Sequence, residues 1–412
     1  MNIIECTECR ICGNRTLLPV LDLGTQSLTG IFPGPGEVVP TAPLELVKCS
    51  PDGCGLVQLR HTADLSLMYG VHYGYRSGIR PFMVNHLHGK VAKLTGMVDL
   101  DSDDLTIDIG SNDSTLLRGY RTEGLTRVGI DPTGDKWREY YPADIDLIPD
   151  FFSKEVFTER YGDRKAKIVT SIAMFYDLPD PTGFMADIRD LLTDDGVWMV
   201  EMSDLASMLQ ALAYDAVCQE HLSYYSLRQI EWMAERVGLT LTTAEVTDVN
   251  GGSLCLTFVK DPSRHRIDLA GIERVRQRET RLQLDTMTTY ETFARRVRDH
   301  RDGLRAFLDD SRAAGKLTLG YGASTKGNVV LQYCGIDTRD LPCIGEVSQE
   351  KHGCSTPGTG IPIVSEEEAK ARRPDQLLVL PWAHRKGFVE REQEFVAQGG
   401  KLVFPLPSLS AA

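Results

Sequence analysis

Two cysteine pairs, Cys9 and Cys12 in CRIC and Cys49 and Cys54 in CSPDGC, have the spacing of metal knuckles. Four thiolates fill a tetrahedral shell and leave no position for a substrate, so the ion they suit is a structural zinc. Cys6 also forms a CxxC with Cys9, and spacing alone leaves that pairing open; Gly13 after Cys12, matched by Gly55 after Cys54, favours Cys9 with Cys12. A disulfide is the competing reading. The start MNIIECTECR has no apolar leader, and no run approaches the ~20 apolar residues of a membrane span. A cytoplasmic setting is therefore expected, where thiols stay reduced and Cys218, Cys255, Cys334, Cys343 and Cys354 are free.

Chemistry has to come from elsewhere in the chain. In IDIGSNDSTLL, Asp108 ends a strand and Gly110 follows, with Ser111 and Asn112 next and a helix start beyond them. A glycine there lets backbone approach a ligand. The following strand ends at Asp131 in GIDP, where a carboxylate can hold both hydroxyls of a ribose. A dinucleotide would call for a GxGxxG turn, which this loop lacks. S-adenosylmethionine has no phosphate, and its cationic groups suit an acidic, single-glycine loop; a plain buried strand and turn is the alternative.

YDAVCQEHLSYYS sets Glu220 beside His221 among Tyr214, Tyr224 and Tyr225. Histidine can take a proton at neutral pH and a neighbouring carboxylate can orient it, so the pair can generate a carbanion. A satisfied structural pair is the bland reading. YGVHYGYRSGIRP clusters Tyr69, His72, Tyr73, Tyr75, Arg76 and Ser77. Tyrosines suit the face and hydroxyls of a sugar and Arg76 a phosphate, against a packed turn. In GYGASTKGN, Lys326 and Asn328 sit in a glycine-rich turn after a strand, where backbone donors and one ammonium can cradle a diphosphate.

The elements around these residues predict an α/β chain. Its 412 residues exceed one ordinary core. A cysteine module over 1–70, with a strand at Leu56–Leu59, precedes a helix at Pro81–Leu94. Strands at LTIDI, RVGID, KIVTS and GVWMVEM alternate with helices, which predicts a largely parallel, Rossmann-like sheet within 71–265. Residues 266–312 are charged and proline-free and read as one or two solvated linking helices. A second Rossmann-like α/β unit fills 313–412. The formal charge of −13 argues against nucleic acid as a partner.

Taken in succession, CRICG, VLDLGTQSLTGIF, CGLVQL, YGYRSG, IDIGSNDSTLL, EHLSYYS, NGGS, YGASTKGN and PGTGIPI resemble the sugar C-methyltransferases of deoxysugar biosynthesis over almost the whole chain. Those enzymes methylate carbon 3 of nucleotide-linked 4-keto sugars. The resemblance implies a zinc-binding N-terminal domain, a central S-adenosylmethionine domain and a C-terminal domain that helps hold the nucleotide sugar. It implies that His221 removes the proton alpha to the ketone with support from Glu220. Tyr73, Arg76, Ser77, Tyr224, Lys326 and Asn328 are expected at the substrate. Better-known members have tyrosine where this chain has Cys218 and histidine where it has Gln219. A thiol is a poor substitute for a phenol that donates to an enolate oxygen, so Tyr75 is expected to take that duty, or the substrate differs. Ser114 stands where glycine is common, and CSPDGC widens the second knuckle. Competing classes are an O- or N-methyltransferase, an NAD-dependent sugar-nucleotide oxidoreductase and a non-catalytic zinc-stabilised binding protein.

Overall fold

The computed structural model describes residues 3–64, 68–69 and 74–412. Its central feature is a seven-stranded sheet in the order Thr240–Thr247, Ser253–Val259, Leu192–Ser203, Ala166–Ile172, Leu105–Ile109, Thr126–Ile130, Ile145–Ile148. The last five run parallel, while Ser253–Val259 pairs antiparallel with both of its neighbours. The parallel strands are continuous apolar runs because both faces are covered. Ile168, Val197 and Met199 face the helix Pro81–Thr95 through Leu87, Val91 and Leu94. Their alternates Val169, Trp198 and Val200 face Pro181–Leu191 and Leu227–Val237 through Met185, Ile188, Ile230 and Met233. This is the period of two that a strand imposes.

One expected element is missing. After Gly110 the chain forms no α-helix, only the short 3-10 turn Leu117–Gly119. Asn112 and Ser114 take left-handed backbone angles, φ 50° and 61°, which fold the loop back on itself. Side chains of this loop instead hold the segment before Pro81. Asn112 Oδ1 accepts the Ser77 N–H at 2.9 Å, its Nδ2 donates to the Tyr75 carbonyl at 3.0 Å, and Asp113 Oδ2 accepts the Gly78 N–H at 2.9 Å.

At the N-terminus, Thr41–Cys49 pairs with Leu17–Ser27 and Val57–Leu59, and Val57–Leu59 pairs in turn with Ser223–Tyr224. A six-stranded sheet at the C-terminus runs Ile363–Ser365, Ile344–Glu346, Thr318–Tyr321, Gln376–Val379, Lys401–Phe404, Ser410–Ala411. The charged stretch forms two helices, Leu269–Arg281 and Met287–Ala313, and they are not merely solvated. Tyr290, Phe293, Val297, Leu304 and Leu308 recur at helical spacing and are buried in a core that extends from Leu44 and Leu46 to Ile344 and Leu378. Among the described residues no helix is long and apolar enough to cross a membrane.

Candidate active site

A cavity of about 670 Å³ opens at the carboxyl ends of the parallel strands, the place where ligands bind in open α/β sheets. Asp108, Gly110, Ser111, Asn112 and Asp131 all line it. Gly110 has φ 74°, and a Cβ there would come within 3.1 Å of Met174 Cγ, so side-chain-free backbone is required. Asp131 is organised in advance. Its Oδ2 accepts the Asn112 N–H at 2.7 Å and its Oδ1 accepts the N–H and hydroxyl of Thr133 at 2.7 and 2.6 Å. Tyr141 donates to the Asn112 carbonyl at 2.9 Å, so the Ser111 hydroxyl, 2.8 Å away, donates to Tyr141. Burial pushes the Asp108 carboxyl up to about 7, against a 2.6 Å hydrogen bond from Thr170. Glu201, also on the cavity wall, differs: although burial acts to raise it, His86 at 2.6 Å and Lys90 at 2.7 Å hold it below the usual carboxylate range. A room of this size, with Asp131 pre-oriented on its wall beside a single-glycine loop, fits S-adenosylmethionine.

The Glu220 and His221 pair lies beside this cavity rather than on its wall. His221 Nδ1 is 2.9 Å from the Ala216 carbonyl, and a carbonyl only accepts, so Nδ1 carries the proton and Nε2 keeps its lone pair. Burial and then the Lys326 charge push the imidazole down to about 3. Its ring stands edge-on to Tyr176, centroids 4.4 Å apart, and Tyr176 adjoins Asp177 on the cavity wall. The Tyr224 hydroxyl also donates to Ala216, at 3.1 Å.

Glu220 does not orient His221. Its Oε2 accepts from the Cys218 thiol at 3.8 Å, and Oε1 lies where a Cβ on Gly30 would be, 2.1 Å from that position. Burial pushes the Glu220 carboxyl up to about 7. Gln219, the second departure, accepts from Thr29 at 3.2 Å and donates to the Gln26 carbonyl at 3.4 Å, so it clamps the N-terminal segment.

Tyr75 and Ser77 line the cavity. Arg76 does not; its guanidinium lies 4.1 Å from the Tyr140 ring centroid and 3.9 Å from Asp113. Tyr73 and His72 lie outside the described residues. Lys326 opens the helix Thr325–Tyr333 and acts electrostatically on His221, Asp215 and His384. Asn328 is fully buried and its Nδ2 donates to the Thr29 carbonyl at 2.8 Å.

Several residues at this junction escaped the sequence reading. Arg80 lies 3.0 Å from His384, and Lys351 donates to the Ala323 carbonyl at 2.8 Å while its ammonium sits 4.1 Å from the Phe32 ring centroid. Burial lowers Lys351 and Arg80 adds to that effect. Asp177 and Tyr176 follow the strand Ala166–Ile172, and the strand-end rule that marked Asp108 and Asp131 would have marked them too.

The sulfurs of Cys9, Cys12, Cys49 and Cys54 lie within 4.8 Å of one another, with Cys9 to Cys54 at 3.4 Å and Cys12 to Cys49 at 3.6 Å. Four Zn–S bonds of ~2.3 Å imply sulfurs ~3.8 Å apart, so the set fits zinc. The Cys54 hydrogen bond holds Cys9 low, while burial pushes Cys49 up; ionising all four together needs a cation. Cys6 is placed elsewhere, 3.5 Å from the Thr62 hydroxyl.

Three family models match in succession: "Putative zinc binding domain" over residues 9–69, "Methyltransferase domain" over 87–244 and "C-methyltransferase C-terminal domain" over 248–407. C-methyltransferase NovU of Streptomyces niveus is 30% identical over 408 residues, covering 97% of this chain and 95% of that one. Among solved structures, the PH0226 protein of Pyrococcus horikoshii OT3 is 16% identical and covers 45% of this chain and 94% of its own, with a TM-score of 0.36. The mitomycin 7-O-methyltransferase MmcR is 16% identical and covers 42% and 52%, with a TM-score of 0.33. Overlaps this partial carry no weight for function.

Proposed function

The chain belongs to the C-methyltransferase family, as an S-adenosylmethionine-dependent enzyme with a zinc-binding module, and we propose that its acceptor is a nucleotide-linked keto sugar methylated through an enolate, with His221 as base. When bound, the cofactor supplies a methyl group already activated as a sulfonium. The protein's task is then to make a carbon nucleophile and hold it in line. Asp131 holds the ribose, and the loop from Asp108 to Asn112 surrounds the methionine end.

The observation that carries this reading is the fixed tautomer of His221. Nδ1–H donates to the Ala216 carbonyl, so Nε2 faces its surroundings as a neutral acceptor. The proton alpha to the ketone goes to Nε2, the electron pair of that C–H bond becomes the C=C bond of the enolate, and the carbonyl π pair moves onto the oxygen. As the oxygen pair re-forms the ketone, the alpha carbon would take the methyl group of a bound S-adenosylmethionine, whose sulfur would keep the electron pair of the broken S–CH3 bond and leave as the neutral thioether of S-adenosylhomocysteine.

A base near 3 is weak, and the second cause of that value is Lys326. An anionic diphosphate bound at Lys326, with Arg80 and Lys351 nearby, offsets this repulsion and restores basicity only when substrate is present. The cations crowd one another there, since Arg80 and Lys326 both depress His384 after burial does. A dianion relieves that crowding.

The test is incubation with methyl-labelled S-adenosylmethionine and thymidine- or uridine-diphosphate-linked 4-keto-6-deoxyhexoses. Label on a carbon next to the ketone is the expected result. Label on oxygen or nitrogen contradicts the reading.

A further inference from the structure

Asp177 is a buried carboxyl group that the account so far does not use. It is 9 % exposed, lines the cofactor cavity, and its Oδ1 has no hydrogen-bond partner among the described residues. Leaving a buried polar atom unpaired costs about 1–3 kcal/mol, so such an atom in a cavity wall calls for a ligand partner. The other end of the group is engaged by the Tyr69 hydroxyl. It lines the cavity assigned to the methyl donor, and the adjoining Tyr176 packs on His221.

The enolate reading, on which this inference rests, requires a hydrogen-bond donor at the ketone oxygen, because negative charge accumulates there as His221 takes the proton. The Cys218 thiol is directed to Glu220 Oε2 at 3.8 Å. Tyr224 donates to Ala216 and Tyr69 to Asp177.

We propose that the Asp177 carboxyl group is the hydrogen-bond donor to the enolate oxygen. A carboxyl donates only while it keeps its proton, and the surroundings of Asp177 provide for that. Burial pushes it well above the usual carboxylate range, the neighbouring Glu220 adds to the effect, and among the described residues no cation acts on it. The Asp177 proton is shared with the enolate oxygen and not transferred; the abstracted proton resides on His221, so charge and protons balance.

The test uses the full-length zinc-loaded protein in heavy water with S-adenosylhomocysteine and a thymidine-diphosphate-linked 4-keto-6-deoxyhexose as probe, reading hydrogen exchange next to the ketone. Asp177→Ala should lose about 10²–10³ of the exchange rate, the usual effect of deleting an oxyanion donor, with S-adenosylmethionine affinity by calorimetry unchanged. Asp177→Asn retains an N–H donor and should stay within about tenfold of wild type. Wild-type exchange in Asp177→Ala overturns the proposal, as does loss of cofactor affinity in that variant. So does an Asp177→Asn variant as slow as Asp177→Ala, which would make the group an acceptor or base. A wild-type protein that never exchanges carbon-bound hydrogen removes the enolate reading itself, before any variant is compared.

Discussion

The Leu59 backbone N–H donates to the Leu222 carbonyl at 2.9 Å, one residue beyond His221. The sheet that presents the cysteine knuckles is therefore continuous with the strand Ser223–Tyr224, and Gln229 Nε2 adds a 3.0 Å bond to the Cys54 carbonyl. The cysteine cluster, the sheet and His221 share one scaffold.

Metal removal should consequently reach the chemistry. Freshly purified protein should contain about one zinc per chain, and Cys54→Ser should lose it, melt at lower temperature and lose methyl transfer together. Cys6→Ser should keep both zinc and activity. Metal analysis with melting curves checks this; full zinc content in Cys54→Ser would remove that sulfur from the site.

Asp131 is held by three donors within 2.7 Å and still has lone pairs for a ribose. Asp131→Ala should weaken S-adenosylmethionine by about 1.5–3 kcal/mol, the range for a hydrogen bond to a charged group. Asp131→Asn should lose less of the loop geometry while losing the charge. Calorimetry giving wild-type affinity for Asp131→Ala would take the residue out of the site.

The pH profile separates two bases. Burial and Lys326 push His221 down to about 3, so Nε2 stays unprotonated, and kcat/KM stays level from about pH 8 to 5 if His221 is the base. Burial pushes Glu220 up to about 7, so a Glu220 base would be protonated as pH falls through that value and the rate would drop roughly tenfold per unit below it. A level profile is expected.

The sequence carried the fold in its apolar runs. LTIDI and KIVTS lie in strands buried on both faces, and the cysteine spacing matched a cluster of four sulfurs. Asp108 and Asp131 were readable because strand ends in a parallel sheet converge on one crevice. Other features depend on contacts that residue types do not announce. The partner that orients His221 is a backbone carbonyl, Ala216, which has no sequence signature, and Glu220, adjacent in the chain, turns toward Cys218 instead. The helix expected after Gly110 gave way to left-handed Asn112 and Ser114, whose loop grips residues 75–78. Arg80, Lys351 and His384 come together only through tertiary packing.

Hydrogen exchange without methyl transfer tests the central claim most directly. With S-adenosylhomocysteine replacing the methyl donor, the wild-type enzyme in heavy water should exchange the hydrogen next to the ketone of a nucleoside-diphosphate-linked keto sugar. His221→Ala should lose about 10²–10⁴ of that exchange, the usual contribution of a general base, while binding S-adenosylmethionine normally. Undiminished exchange in His221→Ala, or methylation by the wild type with no exchange at carbon, would contradict the account.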